Sequence, residues 1–291
     1  MRMRMWTYDL AREQHADLGV LRTLCEMSIR GGHTHLGLYL EHRYAFRCAP
    51  FAHGVGCLTA EMARALQDEF RGRLTIVPFL NLLGHFEGFL YTEEGKSFAA
   101  ERFAGLQADG ANPGFKAICE AMVDEALEVF ESDLIHLGGD ETAQLGKGKH
   151  SAPWVEGFAA QHPDRDAKAA LYASHFSPLC ERVSKAGRTP AIWGDMLFEH
   201  PEALQDLPKE TLLFDWQYFR SPLATSGKLR EAGFRVVACP AVHTYNAPWC
   251  HLPQTERNIR DAHAAATDLD LEGVCITTWE CGLMGSYETL L

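Results

Sequence analysis

The residues best equipped for chemistry lie in one stretch, Asp133–Thr142, which reads DLIHLGGDET. A short apolar run suited to a buried strand narrows through Gly138 and Gly139. It then delivers two adjacent carboxylates, Asp140 and Glu141, where the strand should end. Two acids side by side repel, and a site that excludes water raises the pKa of at least one. The expected state near neutral pH is a protonated acid beside a carboxylate. That pairing is what glycosidic bond cleavage uses. Taken alone, an Asp-Glu pair is more often a solvated acidic turn; the glycine pair and the rest of the chain favour the chemical interpretation.

Three other groups of residues bear on the same point. Trp193, Trp216 and Trp279 recur at the ends of the fifth, sixth and eighth predicted strands. Three rings converging on one mouth suit the apolar faces of a sugar, with polar groups selecting its hydroxyls. Arg12, at the end of the first strand, offers a forked donor for paired hydroxyls and reads equally as a surface salt bridge. His85, in the turn just beyond the third strand beside Gly84 and Glu87, reads equally as a site residue or a buried structural histidine. His33 and His35 form an HxH pair, but they precede the second strand and so belong at the opposite end; no metal site is expected there. With no HExxH, EF-hand or Walker pattern, no cofactor is expected either.

The elements that must hold these residues alternate. Strands are predicted at Met5–Leu10, His35–Leu40, Arg73–Leu80, the stretch at Asp133, Pro190–Met196, Thr211–Tyr218, Arg235–Val242 and Leu271–Glu280. Between them lie helices over Asp17–Ser28, after a Thr59 cap, from an Asn112 N-cap with Pro113 at N1, from about Asp166 to Gly187, from Ser221 to Gly233, and over Gln254–Thr267. Glu141–Arg165 reads as a long loop. Helix-to-strand links are short and glycine-marked, whereas strand-to-helix links are long and carry the His, Trp, Asp and Glu residues. The pattern predicts a single (β/α)8 TIM barrel over residues 1–291 with its chemistry at the strands' C-terminal ends. Only eleven residues follow Glu280, so an incomplete eighth helix is expected. A doubly wound sheet would need a glycine-rich phosphate loop after the first strand, and none is there.

Composition narrows the partners. The chain has 291 residues, 46% of them hydrophobic, enough for one large core. A formal net charge of -12 without clustered Lys and Arg argues against nucleic acid. No apolar run is long enough to span a bilayer, and the start, MRMRMWTYDL, lacks the apolar region of a signal peptide. Nine cysteines without a CxxC pair fit reduced, buried thiols. The expectation is a cytoplasmic protein with a small-molecule or glycan substrate and no membrane partner.

The order of these residues resembles a known family. His136-Leu137-Gly138-Gly139-Asp140-Glu141 resembles the HxGGDE signature of the glycoside hydrolase family 20 β-N-acetylhexosaminidases. Arg12 in YDLAR, Gly84-His85, and the three tryptophans fall in the family's order along the whole barrel. The resemblance implies an exo-acting, retaining, substrate-assisted enzyme on β-linked N-acetylhexosamine glycans or glycosides. The substrate's 2-acetamido oxygen attacks C1 and forms an oxazolinium-like intermediate. It further implies that Glu141 protonates the leaving oxygen and later activates water, that Asp140 holds the acetamido N–H, and that Arg12 binds sugar hydroxyls. A tyrosine near the seventh strand, Tyr245 or, by a register exchange, its neighbour His243, would bond the acetamido group. The chain departs from the pattern in two places. Glu280, the expected hydroxyl ligand, directly follows Trp279 instead of lying two positions on, and Glu41-His42-Arg43 stands where an acidic pair is usual.

Two other readings stay open on the sequence. One is a catalytically silent carbohydrate-binding or sensory barrel. The other is a barrel glycosidase acting on sugars without the acetamido group, with a nucleophile drawn from Asp195, Asp215 or Glu280.

Overall fold

The structure, a computed structural model, describes residues 3–12, 15–101, 106–245 and 250–279. Eight parallel strands run β1 Met3–Asp9, β2 His35–Tyr39, β3 Thr75–Phe79, β4 Leu134–His136, β5 Thr189–Trp193, β6 Leu212–Trp216, β7 Arg235–Cys239 and β8 Gly273–Thr278. Each pairs with the next in sequence, and Met3 on β1 meets Gly273 on β8, so the sheet closes on itself. Past Pro240, Ala241–Val242 prolongs β7 alongside Thr277 and Thr278. A closed parallel sheet has both faces covered, which is why these strands are apolar almost throughout.

Among the described residues seven helices of nine residues or more cover the outside: α1 Leu18–Arg30, α2 Ala60–Phe70, α3 Pro113–Val129, α4 Ser151–Gln161, α5 Ala167–Lys185, α6 Leu223–Glu231 and α7 Leu252–Asp268. Their starts follow capping chemistry. Asp17 accepts from the Val20 N–H, Thr59 from Met62, Asn112 from Gly114 and Phe115, and Asp166 from Lys168 and Ala169. The link expected as one long loop over Glu141–Arg165 contains α4. Its apolar residues do not keep to one stripe, only Ser151 is fully buried, and Pro153 and Gly157 interrupt it, so periodicity could not reveal it. Trp154 stacks on Phe158 at 5.2 Å and packs on the core.

Two cores result. A large one lies between sheet and helices; a smaller one fills the barrel and includes Met5, Val77, Phe79, Trp193, Phe214 and Val237. The described cysteines are all free thiols. No helix among the described residues is long and apolar enough to cross a membrane. The partial eighth helix expected after Glu280 lies outside the described residues.

At the end of β4 the chain turns through two left-handed glycines, Gly138 at φ 83° and Gly139 at φ 99°. A Cβ on Gly139 would sit 2.5 Å from the Tyr172 hydroxyl and 2.8 Å from the Phe176 ring. Gly139→Ala therefore combines a disfavoured φ with overpacking, and is expected to cost roughly 2–4 kcal/mol. Urea unfolding should show a lower midpoint at unchanged slope.

Candidate active site

The tight turn at Gly138 and Gly139 ends strand pairing early and lifts Asp140 and Glu141 over the C-terminal mouth of the barrel. Tyr172 on α5 holds it there by donating to the Gly139 carbonyl at 2.9 Å. From the β3 side, Gly84 lets a second loop close in, because a Cβ there would lie 2.3 Å from the Asp140 carbonyl oxygen. That approach brings His85 against both acids. Its Nε2 is 3.0 Å from Glu141 Oε2 and 3.6 Å from Asp140 Oδ2, and its Nδ1 is 3.6 Å from Glu87 Oε1.

Backbone strain collects at this point. Of the described non-glycine residues at positive φ, Glu41, Asn81, His85 and Glu141 all follow β2, β3 or β4 at this mouth; Asp270 alone lies elsewhere. Each such residue costs about 1–3 kcal/mol and persists only where its surroundings impose it, as at functional sites.

His85, Asp140 and Glu141 line a cavity of about 420 Å³ together with Arg12, Tyr39, Trp216, Tyr218, Phe219, Tyr245 and Trp279. Arg12 forms an ion pair, with a buried partner in place of the surface one expected, and also reaches the cavity. Its Nη1 pairs with the fully buried Asp9 carboxylate at 2.5 Å, and its guanidinium lies 5.7 Å from the Tyr39 ring and 5.6 Å from the Trp279 ring at the cavity wall. Trp279 donates its indole N–H to the Tyr218 hydroxyl at 2.7 Å. Tyr245 lines the cavity, and its hydroxyl finds no partner among the described residues. His243 sits behind, with Nε2 2.8 Å from the Tyr218 carbonyl oxygen and Nδ1 3.4 Å from Thr255 Oγ1.

Trp193 is not part of the wall, contrary to the expectation from strand ends. It is 1% exposed and packs inside the barrel on Phe79, His136 and Phe214, with Trp279 above it at 6.1 Å between ring centroids. The register explains this. Trp193 pairs with Phe214, so Trp216 stands two residues further toward the mouth, and the stagger between β5 and β6 puts the two indoles in different layers. Glu280 lies outside the described residues. Tyr39, Tyr218 and Phe219 were missed on the sequence. Period-two alternation would have found the two tyrosines, Tyr39 following Gly37 on one face and Tyr218 following Phe214 and Trp216.

The electrostatics divide the acids differently from the simple expectation. Burial raises the Asp140 carboxyl above its usual range; His85 opposes this and the neighbouring Glu141 adds to it. Glu141 is lowered, chiefly by its hydrogen bond to His85 and despite partial burial. Burial alone would depress the His85 imidazole, but the Asp140 charge and the contacts with Glu141 and Glu87 push it up to about 11. His85 is therefore the group here that holds a proton most strongly, and the carboxyl held high is Asp140, not Glu141. Glu41, His85 and Glu87 bring donor atoms within 4.8 Å of one another. His33 and His35 lie away at the strands' N-terminal ends, with His35 Nδ1 2.7 Å from the Thr34 hydroxyl.

Asp215 and Asp195, the other strand-end acids, do not line the cavity. Asp215 is spent on accepting from Thr225, Ser226 and Gln217 at 2.6, 2.7 and 2.9 Å. A nucleophilic role for it is excluded by that geometry.

A family model described as "Glycosyl hydrolase family 20, catalytic domain" matches residues 91–266, which include both acids. The chain belongs to glycosyl hydrolase family 20. Human Hexosaminidase D is 28% identical over 231 residues, covering 71% of this chain and 45% of that protein. Hexosaminidase D of Bos taurus is 30% identical over 149 residues, covering 49% and 40%. The chain thus spans less than half the length of the curated relatives it matches. In fold it is similar to the Vibrio harveyi GH20 exo β-N-acetylglucosaminidase solved with N-acetylglucosamine, with a TM-score of 0.74 at 16% identity over 96% of this chain and 50% of that one. The Bacteroides fragilis β-N-acetylhexosaminidase gives 0.72 at 14% identity, over 96% and 61%.

Proposed function

We propose that this barrel is an exo-acting β-N-acetylhexosaminidase that hydrolyses terminal β-linked GlcNAc or GalNAc by a retaining, substrate-assisted route. The observation that carries the reading is the placement of Asp140 and Glu141, bridged by His85, in an aromatic-walled cavity that also contains Arg12. In this scheme the sugar's apolar faces lie against Trp216 and Trp279 and its hydroxyls meet Arg12. The acetamido oxygen attacks C1 as the C1–O bond to the leaving group breaks. Ionised Asp140 accepts from the acetamido N–H and offsets the charge that grows on the ring, while Tyr245 bonds the acetamido oxygen. Glu141 hands a proton to the departing oxygen; His85, hydrogen-bonded to it at 3.0 Å, holds that proton beforehand. Glu141 then deprotonates the water that opens the oxazolinium at C1.

A panel of aryl β-glycosides tests this, with turnover expected for the β-GlcNAc and β-GalNAc members. Faster cleavage of the β-glucoside, or calorimetric binding of GlcNAc with no cleavage at all, would overturn it. An N-trifluoroacetyl substrate should react much more slowly than the acetyl one, because its carbonyl oxygen is the poorer nucleophile; equal rates would remove substrate assistance.

His85→Asn gives a signed pH effect. The His85 cation lowers both Asp140 and Glu141. Without it both ionise less readily, so the acidic limb of kcat/KM, set by ionisation of Asp140, should move to higher pH.

A further inference from the structure

Glu141, at φ 49°, has a hydrogen-bond partner 54 positions away. Its N–H is accepted by Asp195 Oδ2 at 2.9 Å, across the gap between β4 and β5. Asp195 stands on firm ground for this. Preceding it, the Gly194 N–H donates to the Phe214 carbonyl on β6 at 2.9 Å, and following it, Phe198 N–H bonds back to the Asp195 carbonyl at 3.0 Å. The residue as a whole is only partly covered, yet its Oδ1 is sealed from solvent and has no hydrogen-bond partner among the described residues. A side chain that only filled space would not hold a carboxylate there, beside a second carboxylate, Asp140, whose Oδ1 is equally sealed and unpartnered.

We propose that Asp195 is a positioning residue for the acid–base step: by accepting the Glu141 N–H it pins the left-handed turn that aims the Glu141 carboxylate at His85. The proposal rests on the hydrolase reading for its catalytic meaning. The groups that face Asp195 are Asp140 from the loop after β4, the Trp216 indole from β6, whose N–H favours the ionised carboxylate, and the Tyr172 hydroxyl from α5. Burial and then the Asp140 charge push the Asp195 carboxyl up to about 7, against the pull of the Glu141 N–H. A neutral side chain that still accepts should therefore serve the clamp nearly as well as the acid.

The experiment compares Asp195→Asn, which keeps an acceptor oxygen, with Asp195→Ala and Asp195→Leu, which have none. Two quantities are read: kcat and KM on an aryl β-GlcNAc substrate, and the titration of the His85 imidazole by NMR. His85 is faced by Asp140, Glu141, Glu87 and Glu41. Misaligning a reacting group by about 1 Å costs roughly 100-fold, so the Ala and Leu variants should lose kcat on about that scale with KM little changed. His85 should titrate at lower pH in both, because the released Glu141 no longer supports its charge. Asp195→Asn should keep kcat within severalfold of the parent and leave the His85 titration near its original position. The proposal fails if Asn loses as much kcat as Ala and Leu, or if Ala and Leu leave kcat and the His85 titration unchanged. Should the parent protein cleave no β-N-acetylhexosaminide, the hydrolase reading is what has failed, and the His85 titration still decides whether the clamp exists.

Discussion

Glu141→Gln is expected to lower kcat on an aryl β-N-acetylglucosaminide by roughly 10²–10⁴-fold, the range lost when a positioned general acid–base group is removed. Glutamine matches glutamate in shape and still offers an oxygen to His85 Nε2, which lies 3.0 Å from the native carboxylate. The site should therefore keep its form and its KM. What disappears is the capacity to relay the proton that His85 holds. The loss should be smallest for substrates whose leaving group departs easily without protonation, and largest for alkyl or sugar leaving groups. A uniform loss of less than tenfold across such a series would mean that some other group supplies the proton.

Asp140→Asn should cost roughly 10²–10³-fold in kcat, the scale seen when one preorganised electrostatic partner of a transition state is removed. The carboxylate has no other evident purpose. Burial and the adjacent Glu141 both work against its ionised form, and His85 with Arg12 supplies the opposing pull. A neutral amide escapes the desolvation penalty, so the variant should unfold at the same temperature as the parent or higher, the usual trade between function and stability. Its raised pKa also fixes a sign: kcat/KM should climb as pH rises through the Asp140 ionisation, and that limb should vanish in the Asn variant. A variant that retained the limb would assign it to another acid.

The barrel was legible because its signals are local and repeated. Asp17, Thr59 and Asn112 cap helices where their side chains can reach the first free N–H groups, and that chemistry needs no tertiary information. The carboxylate pair was legible because two left-handed glycines leave few uses for the acids that follow. What the sequence could not carry is depth and partnership. Trp193 and Trp216 both close a strand, yet the stagger between strands buries one and exposes the other to the cavity. Crowding and burial do raise one of the two acids, but which one depends on His85, which arrives from 56 positions away through the close approach at Gly84 and lowers Glu141. Helix α4 stayed hidden because its apolar residues form no stripe, and the clamp from Asp195 to Glu141 depends on a distance that no motif encodes.

Arg12 serves two masters. Asp9, to which it is tied, is a fully buried carboxylate that also accepts the Ala11 N–H at 2.9 Å. Deleting the guanidinium would take an ion-pair partner from that buried charge, and breaking a buried pair costs up to about 3–5 kcal/mol. A descendant that abandoned sugar chemistry altogether would still lose stability on discarding this arginine alone. Its survival in a sequence is therefore poor evidence of an active enzyme, and a loss of activity on mutating it says little about which hydroxyl it once held.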